Sequence, residues 1–307
     1  MTLENRILDR YLLHPRFWPA WIGMGLFRVA GMVPHSWMKW LGRVLGGLAY
    51  RFARQRVQIA RRNIELCFPD LDEDAREQLV KDHLASVGMS VFEIPFAWWG
   101  RDARFTGLAE MSGLENLHAA AEVGKGVLLL SAHFTSLEIG GRFLAQRYSF
   151  DAMHRPSGSP VMQKVMVGAR KRHCENIIPR DAVKRLIRSL RDGRAVWYAP
   201  DQNTQRKQAV FVKFFGHLAS TTPATARLAG VTGAKVVPFL SVRKPDGGGY
   251  RVVFEPALEG FPSGDLEADT QRVNDIIERW VREYPDQYLW IHRRFRTRPE
   301  TTDPKIY

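Results

Sequence analysis

The stretch LLLSAHFTSLE, from Leu128 to Glu138, ends a buried apolar run in a histidine and sets a carboxylate five positions further on. The apolar residues read as a strand ending near Ser131, and helical patterning resumes within a few residues of His133. That puts His133 at the carboxyl end of a strand beside a helix N-terminus, where open α/β sheets receive ligands. Glu138 cannot share a continuous helix face with His133. With His133 in the turn, the first helical turn can carry the carboxylate back to the imidazole. Such a dyad fixes the imidazole tautomer and leaves the second ring nitrogen as a general base. A base of this kind contributes roughly 100- to 10,000-fold. Spacing alone also suits a hydrogen-bonded structural histidine at a strand end, and on these residues both readings stand.

Other chemistries find no footing. The chain has no GxxxxGK[ST] phosphate loop, no GxSxG elbow and no HExxH zinc motif. Cys67 and Cys174 are its two cysteines, with no CxxC and no zinc-like spacing, so neither a metal site nor a disulfide framework is expected. No cofactor is called for.

The elements that must position His133 are legible as alternation. Gly126–Ser131, Arg194–Ala199, Lys235–Leu240 and Tyr250–Glu255 read as buried strands. Helices are expected at about Ser136–Gln146, Pro160–Cys174, Ala182–Arg191, Pro223–Gly233 and Leu266–Glu283. A further helix, over Asp72–Val87, follows a capping box at Asp70 and Glu73. PDGGGY, Pro245–Tyr250, is a hairpin turn by its glycine chemistry. The fold class is α/β, a mixed sheet flanked by helices. No repeat or Gly/Ser/Pro-rich linker divides it, so one catalytic domain is expected over residues 37–307, after an N-terminal membrane anchor over residues 1–36.

The anchor reading rests on Phe17–Val33, apolar with Arg28 its single charge. Seventeen residues at ~1.5 Å each reach about 25 Å, short of the ~30 Å hydrocarbon core. A short bilayer-thinning span or an interfacial anchor remains, beside the plainer reading of a buried core helix. From Lys39 to Arg62 seven basic residues and no acidic one interleave with Trp37, Trp40, Leu41, Val44, Leu45, Leu48, Tyr50 and Phe52. At helical spacing this is the pattern of a helix on an anionic membrane, and residues 37–62 are assigned to that surface. The basic excess following the anchor places the main body in the cytosol. Over all 307 residues the net charge is +13, which calls for an anionic partner. No helix-turn-helix or RNP pattern is readable, so nucleic acid is not that partner.

Longer stretches carry a resemblance. NIELCFPDL (Asn63–Leu71), VWYAPDQN (Val196–Asn203), VFVKFFG (Val210–Gly216), YLWIHRRFRTRPE (Tyr288–Glu300) and LLHPRFW (Leu12–Trp18) are similar to the late acyltransferases of lipid A biosynthesis, and to their lauroyl-type branch in particular. The resemblance covers essentially the whole chain. It implies an acyltransferase of the bacterial inner membrane, its catalytic domain on the cytoplasmic face. The enzyme would move a fatty acyl chain, laurate or similar, from acyl-acyl carrier protein to a hydroxyl on a lipid A precursor bearing two Kdo sugars. The family's HxxxxE dyad falls on His133 and Glu138, its arginine after the first crossover on Arg170, and its YAPD aspartate on Asp201. Arg170 and Asp201 are thereby expected to bind substrate. Donors for the reaction's oxyanion are expected among the backbone N–H groups near Phe134–Ser136. Asn203 stands where lauroyl-type relatives often carry an acidic residue, and Lys213 where proline is common; these departures bear on substrate and chain length. A related enzyme with another acceptor, such as a glycerol phosphate or a phosphoinositol mannoside, is the alternative.

Overall fold

The computed structural model describes residues 11–307; the first ten residues of the expected anchor lie outside the described residues. Its frame is a seven-stranded sheet in the order β1-β9-β8-β2-β5-β3-β4. These strands are β1 (Ala109–Ser112), β2 (Val127–Leu130), β3 (Phe150–His154), β4 (Ile177–Pro179), β5 (Ala195–Tyr198), β8 (Lys235–Arg243) and β9 (Tyr250–Phe254). A separate hairpin pairs β6 (Val210–Phe214) with β7 (His217–Thr221). Neighbours in the large sheet run parallel except β8 and β9, which join antiparallel across the glycine-rich turn expected at Pro245–Tyr250.

β2 is the keystone. All four of its residues are buried, and they alternate between two cores. Val127 and Leu129 face Ile139, Phe143 and Phe239 on one side, and Leu128 and Leu130 face Leu190, Val196 and Ile277 on the other. The two-residue period of a strand explains this division, and a strand covered on both faces explains the unbroken apolar run.

Ten α-helices are described: α1 (Trp18–Ala30), α2 (His35–Phe52), α3 (Arg54–Cys67), α4 (Glu73–Trp99), α5 (Leu114–Glu122), α6 (Leu137–Ala145), α7 (Pro160–Arg170), α8 (Val183–Arg191), α9 (Ala224–Thr232) and α10 (Leu266–Glu283). α4 is capped by Asp72, whose carboxylate accepts from Ala75 N–H, so the expected cap at Asp70 is displaced by two residues. α4 also continues through Pro95, well beyond Val87. α7 starts on a Ser159 cap with Pro160 in its first turn, where the missing N–H costs nothing.

The N-terminal region departs from expectation in one respect. Residues 37–62 are not one surface helix: the chain breaks at Ala53. α3 then buries Val57, Ala60 and Ile64 in the main core, and its Arg61 and Arg62 pair with Glu77 and Glu65. α2 lies close against α4, where a Cβ on Gly46 would come within 2.5 Å of Ala85 N. Outward, Trp18, Ile22, Leu26 and Val29 of α1 and Trp37, Trp40, Val44, Leu48 and Phe52 of α2 are all exposed. Among the described residues no helix is long and apolar enough to cross a membrane.

Candidate active site

β2 and β5 run parallel and in register, Leu130 beside Tyr198, and Ser131 N–H donates to Tyr198 O at 2.8 Å. Their carboxyl ends therefore finish side by side. His133 leaves one strand end and Asp201 the other. The Asp201 carboxylate meets His133 twice, at Nδ1 (2.6 Å) and at the backbone N–H (3.1 Å). The loop around His133 is laced to the C-terminal segment. Leu289 N–H donates to His133 O (3.0 Å), Thr135 N–H donates to Gln287 O (2.8 Å), and Phe134 forms a bridge with Tyr288. Asp201 is only 2% exposed, whereas the His133 side chain keeps 30% of its surface open. Among the described residues no hydrogen bond occupies His133 Nε2.

The electrostatics follow from this geometry. Burial alone pushes the Asp201 carboxyl up, but the imidazole's charge and both His133 hydrogen bonds outweigh it and hold the carboxyl at about 2. Burial likewise depresses His133. The Asp201 carboxylate reverses that and leaves the imidazole above its usual value, while Arg170 pulls in the other direction. The ring is thus fixed with Nδ1 toward the carboxylate, which leaves Nε2 as the free nitrogen.

Glu138 does not join this pair. It lies in the first turn of α6, and its carboxylate turns to the last residue of α7: Arg170 grips it with two nitrogens, Nε at 3.2 Å from Oε2 and Nη2 on Oε1. Trp98 Nε1, near the end of α4, donates to the same Oε2 at 2.8 Å. Burial raises the Glu138 carboxyl, and Arg170 with Trp98 brings it back below the ordinary range. The expected His133–Glu138 hydrogen bond is therefore replaced by two neighbouring ion pairs, His133–Asp201 and Glu138–Arg170. The reason is local. Five residues of turn and helix start carry the Glu138 side chain toward α4 and α7, while a parallel neighbour strand delivers Asp201 directly to Nδ1. Arg170 and Asp201, expected to touch substrate, are first of all the partners of the two dyad residues.

The expected oxyanion donors are also partly spent. Phe134 N–H donates to Ala132 O (2.8 Å) and Thr135 N–H to Gln287 O. Beside Glu138 and Arg170 lies a cleft of about 20 Å³ walled by Ala97, Trp98, Gly141, Ala152, Cys174 and Trp197. It is apolar, and as it stands it holds a water-sized group rather than a fatty chain. Among the described residues no three His, Cys, Asp or Glu side chains converge as a metal set.

Behind the His133 loop is a buried network that sequence reasoning missed. Arg243 forms a two-pronged pair with Glu93 (2.6 and 2.5 Å) and donates to Thr135 Oγ1 (2.8 Å) and Ser86 Oγ (2.6 Å). Tyr250 donates to Glu93 at 2.6 Å, and the Gln287 side chain bonds both the N–H and the C=O of Arg243. His292 was missed too. Its Nε2 accepts from Asn203 N–H at 3.1 Å, two residues past Asp201.

Comparison with known proteins agrees over nearly the full length. Residues 7–297 match the family described as bacterial lipid A biosynthesis acyltransferase. A lipid A biosynthesis lauroyltransferase of Escherichia coli (strain K12) is 37% identical over 290 residues, 94% of this chain and 95% of its own. A palmitoleoyltransferase of the same organism is 37% identical over 292 residues, 95% of both chains. A lipid A biosynthesis acyltransferase of Haemophilus influenzae is 33% identical over 313 residues, covering 99% of this chain and all of that one.

Proposed function

Since the chain belongs to the bacterial lipid A biosynthesis acyltransferases and is an acyltransferase, we propose that it moves a fatty acyl chain from acyl-acyl carrier protein to the hydroxyl of an acyl chain already on a Kdo-bearing lipid A precursor, with His133 as the base. The observation that carries this reading is an imidazole clamped by Asp201 at Nδ1, with 30% of its side chain exposed, Nε2 without a hydrogen bond among the described residues, and the Arg170 charge within reach. Nε2 takes the proton of the acceptor hydroxyl as its oxygen attacks the thioester carbonyl. The carbon–sulfur bond then breaks, and the departing thiolate takes the proton back from the imidazolium. Asp201 stays ionised throughout and stabilises the imidazolium between the two transfers. Among the described residues no serine hydroxyl hydrogen-bonds His133; Cys67 and Cys174 are both buried, and burial pushes the Cys174 thiol up to about 12, so nothing favours an acyl-enzyme.

Glu138 acts on this reading by holding Arg170. A guanidinium fixed by a carboxylate and an indole presents its remaining N–H groups to the precursor's phosphate or carboxylate. The acyl chain is laurate or a neighbour in length, supported by the lauroyl and palmitoleoyl names at equal identity.

The enzyme works at the cytoplasmic face of the inner membrane. The support is the exposed apolar stripe of α1 and α2, flanked by exposed Arg43, Arg51 and Arg54, which suits an interfacial anchor.

The test is mass spectrometry of the product made by purified enzyme from acyl-carrier thioesters of varied length and the Kdo-bearing precursor. One added acyl chain is expected, and His133→Ala should lower turnover by about 100-fold or more. Product formed at more than a tenth of the parent rate would remove His133 as the base.

A further inference from the structure

α8 presents a basic face that no salt bridge neutralises among the described residues. Leu186, Ser189 and Leu190 turn inward, while Lys184, Arg185 and Arg188 are exposed. Arg180 before the helix, and Lys171 and Arg172 after α7, are exposed on the same edge of the sheet, beside β4. None of these six forms a salt bridge among the described residues. The carboxylates of the same stretch are Glu175, already held by Arg194, with Asp181 and Asp192. Like charges this close repel one another and raise the energy of the folded chain. Their concentration on one edge calls for an anionic partner.

The edge also reaches toward Arg170. A groove of about 440 Å³ runs between α7, β4 and α8, with Lys171 on one wall, Arg185 on the other and His154 and Gln163 further in. His154 ends β3, the strand beside β5, and is within reach of the Arg170 charge. The partner's contact therefore begins on α8 and ends near Arg170.

The partner is not the lipid surface that α1 and α2 fit. Ala30, Met38, Leu41 and Leu45 pack into the core on one face of the sheet, whereas Leu186 and Leu190 of α8 pack into the core on the other. α8 thus lies across the sheet from the stripe of α1 and α2. We propose that the edge formed by α8, β4 and the end of α7 is the docking surface for an acidic protein, the carrier that delivers the acyl thioester, with Arg185 and Arg188 at its centre. This rests on the donor reading above and adds where the donor lands. Charges at the rim of such a contact set the encounter rate and its salt dependence more than the chemistry that follows.

The experiment compares the full-length enzyme with Arg185→Glu/Arg188→Glu, and with the milder Arg188→Gln. Each is assayed with acyl-acyl carrier protein and with a carrier-free acyl-pantetheine thioester. For the double variant KM for the acyl-carrier should rise by about tenfold or more, and its dependence on salt should weaken. Saturated turnover, KM for the precursor and rates with acyl-pantetheine should match the parent, and Arg188→Gln should fall between. An unchanged KM for the carrier overturns the docking surface. So does a loss confined to binding of anionic phospholipid vesicles, which would assign the edge to lipid. A parent that transfers from acyl-pantetheine but never from the carrier overturns the donor reading itself, a result separate from either.

Discussion

Asp201 holds His133 at two points, the imidazole Nδ1 and the backbone N–H, so one carboxylate sets both the ring's direction and the position of the loop that carries it. Losing it removes orientation and electrostatic support together.

Asp201→Asn is accordingly expected to cost about 100- to 10,000-fold in turnover, because an amide neither fixes the tautomer nor stabilises the imidazolium. The pH profile carries the sharper signature. Asp201 holds the His133 pKa above 6.5, and only the unprotonated ring accepts a proton, so parent activity should rise with pH through a midpoint above that value. In Asp201→Asn the residual activity should rise at lower pH. A profile that stays in place would show that Asp201 does not act on the titrating group.

Glu138→Gln separates the two ion pairs. Were Glu138 the partner of His133, the variant would also move that midpoint downward by removing a charge bonded to the ring. In this structure it instead strands Arg170, whose side chain is 18% exposed, at a cost on the order of 3 kcal/mol. Chemical denaturation of Glu138→Gln, Arg170→Met and the double variant should give a coupling energy of about 1–3 kcal/mol. Loss of activity in Glu138→Gln should appear chiefly as a raised KM for the precursor. A coupling near zero would mean that the guanidinium and carboxylate do not depend on each other.

How much of this was readable from the chain depends on the length and depth of each element. β2, β5, β8 and β9 announce themselves as apolar runs, and α10 as a long helical pattern. β1 is four residues with alternating partial burial, β4 is three, and β3 carries the buried Asp151, whose charge is met by Arg194. Such strands exist because neighbours pair with them, and that information is not local. The site shows the same limit. His133 and Glu138 stood out because they are five residues apart, but the true partner of the imidazole is 68 residues away. Only the parallel register of β2 and β5 brings Asp201 to it. Trp98 and the Arg243–Glu93 network had no signal beyond an arginine and a glutamate in otherwise apolar surroundings.

That network supports the next expectation. Arg243 and Glu93 are buried, with side chains 7% and 1% exposed, so removing either leaves an uncompensated charge. Arg243→Met and Glu93→Gln should each destabilise by about 3–5 kcal/mol in denaturant titrations. Arg243→Lys keeps the charge but loses the fork that reaches Glu93, Ser86 and Thr135 together. It should remain folded while turnover drops, since Thr135 is two residues from His133. Full activity in Arg243→Lys would detach the network from the loop.

Acid should unfold the protein earlier than its carboxylates alone require. Burial depresses His83 to about 4, and its backbone acceptor at Asp286 O, 3.3 Å from Nδ1, offsets this only in part. Among the described residues His83 Nε2 has no partner, as suits a neutral ring. Burial also takes His292 to about 4, and protonating its Nε2 would break the bond from Asn203. For both groups the folded pKa lies below the unfolded value near 6.5. Their contribution is therefore complete above pH 6.5 and is lost as pH falls toward 4, at up to about 1.4 kcal/mol per pH unit for each. His35, His154 and His173 are depressed in the same direction by burial. His133 is raised, so its contribution is complete below its unfolded pKa and lost as pH climbs through its folded one, on the alkaline side. Urea titrations at pH 7, 6 and 5 should show stability falling steeply across the series, and His83→Gln should reduce the slope by about one proton's worth. Stability unchanged between pH 7 and 5 would mean that these rings are hydrated and titrate as they do in the unfolded chain.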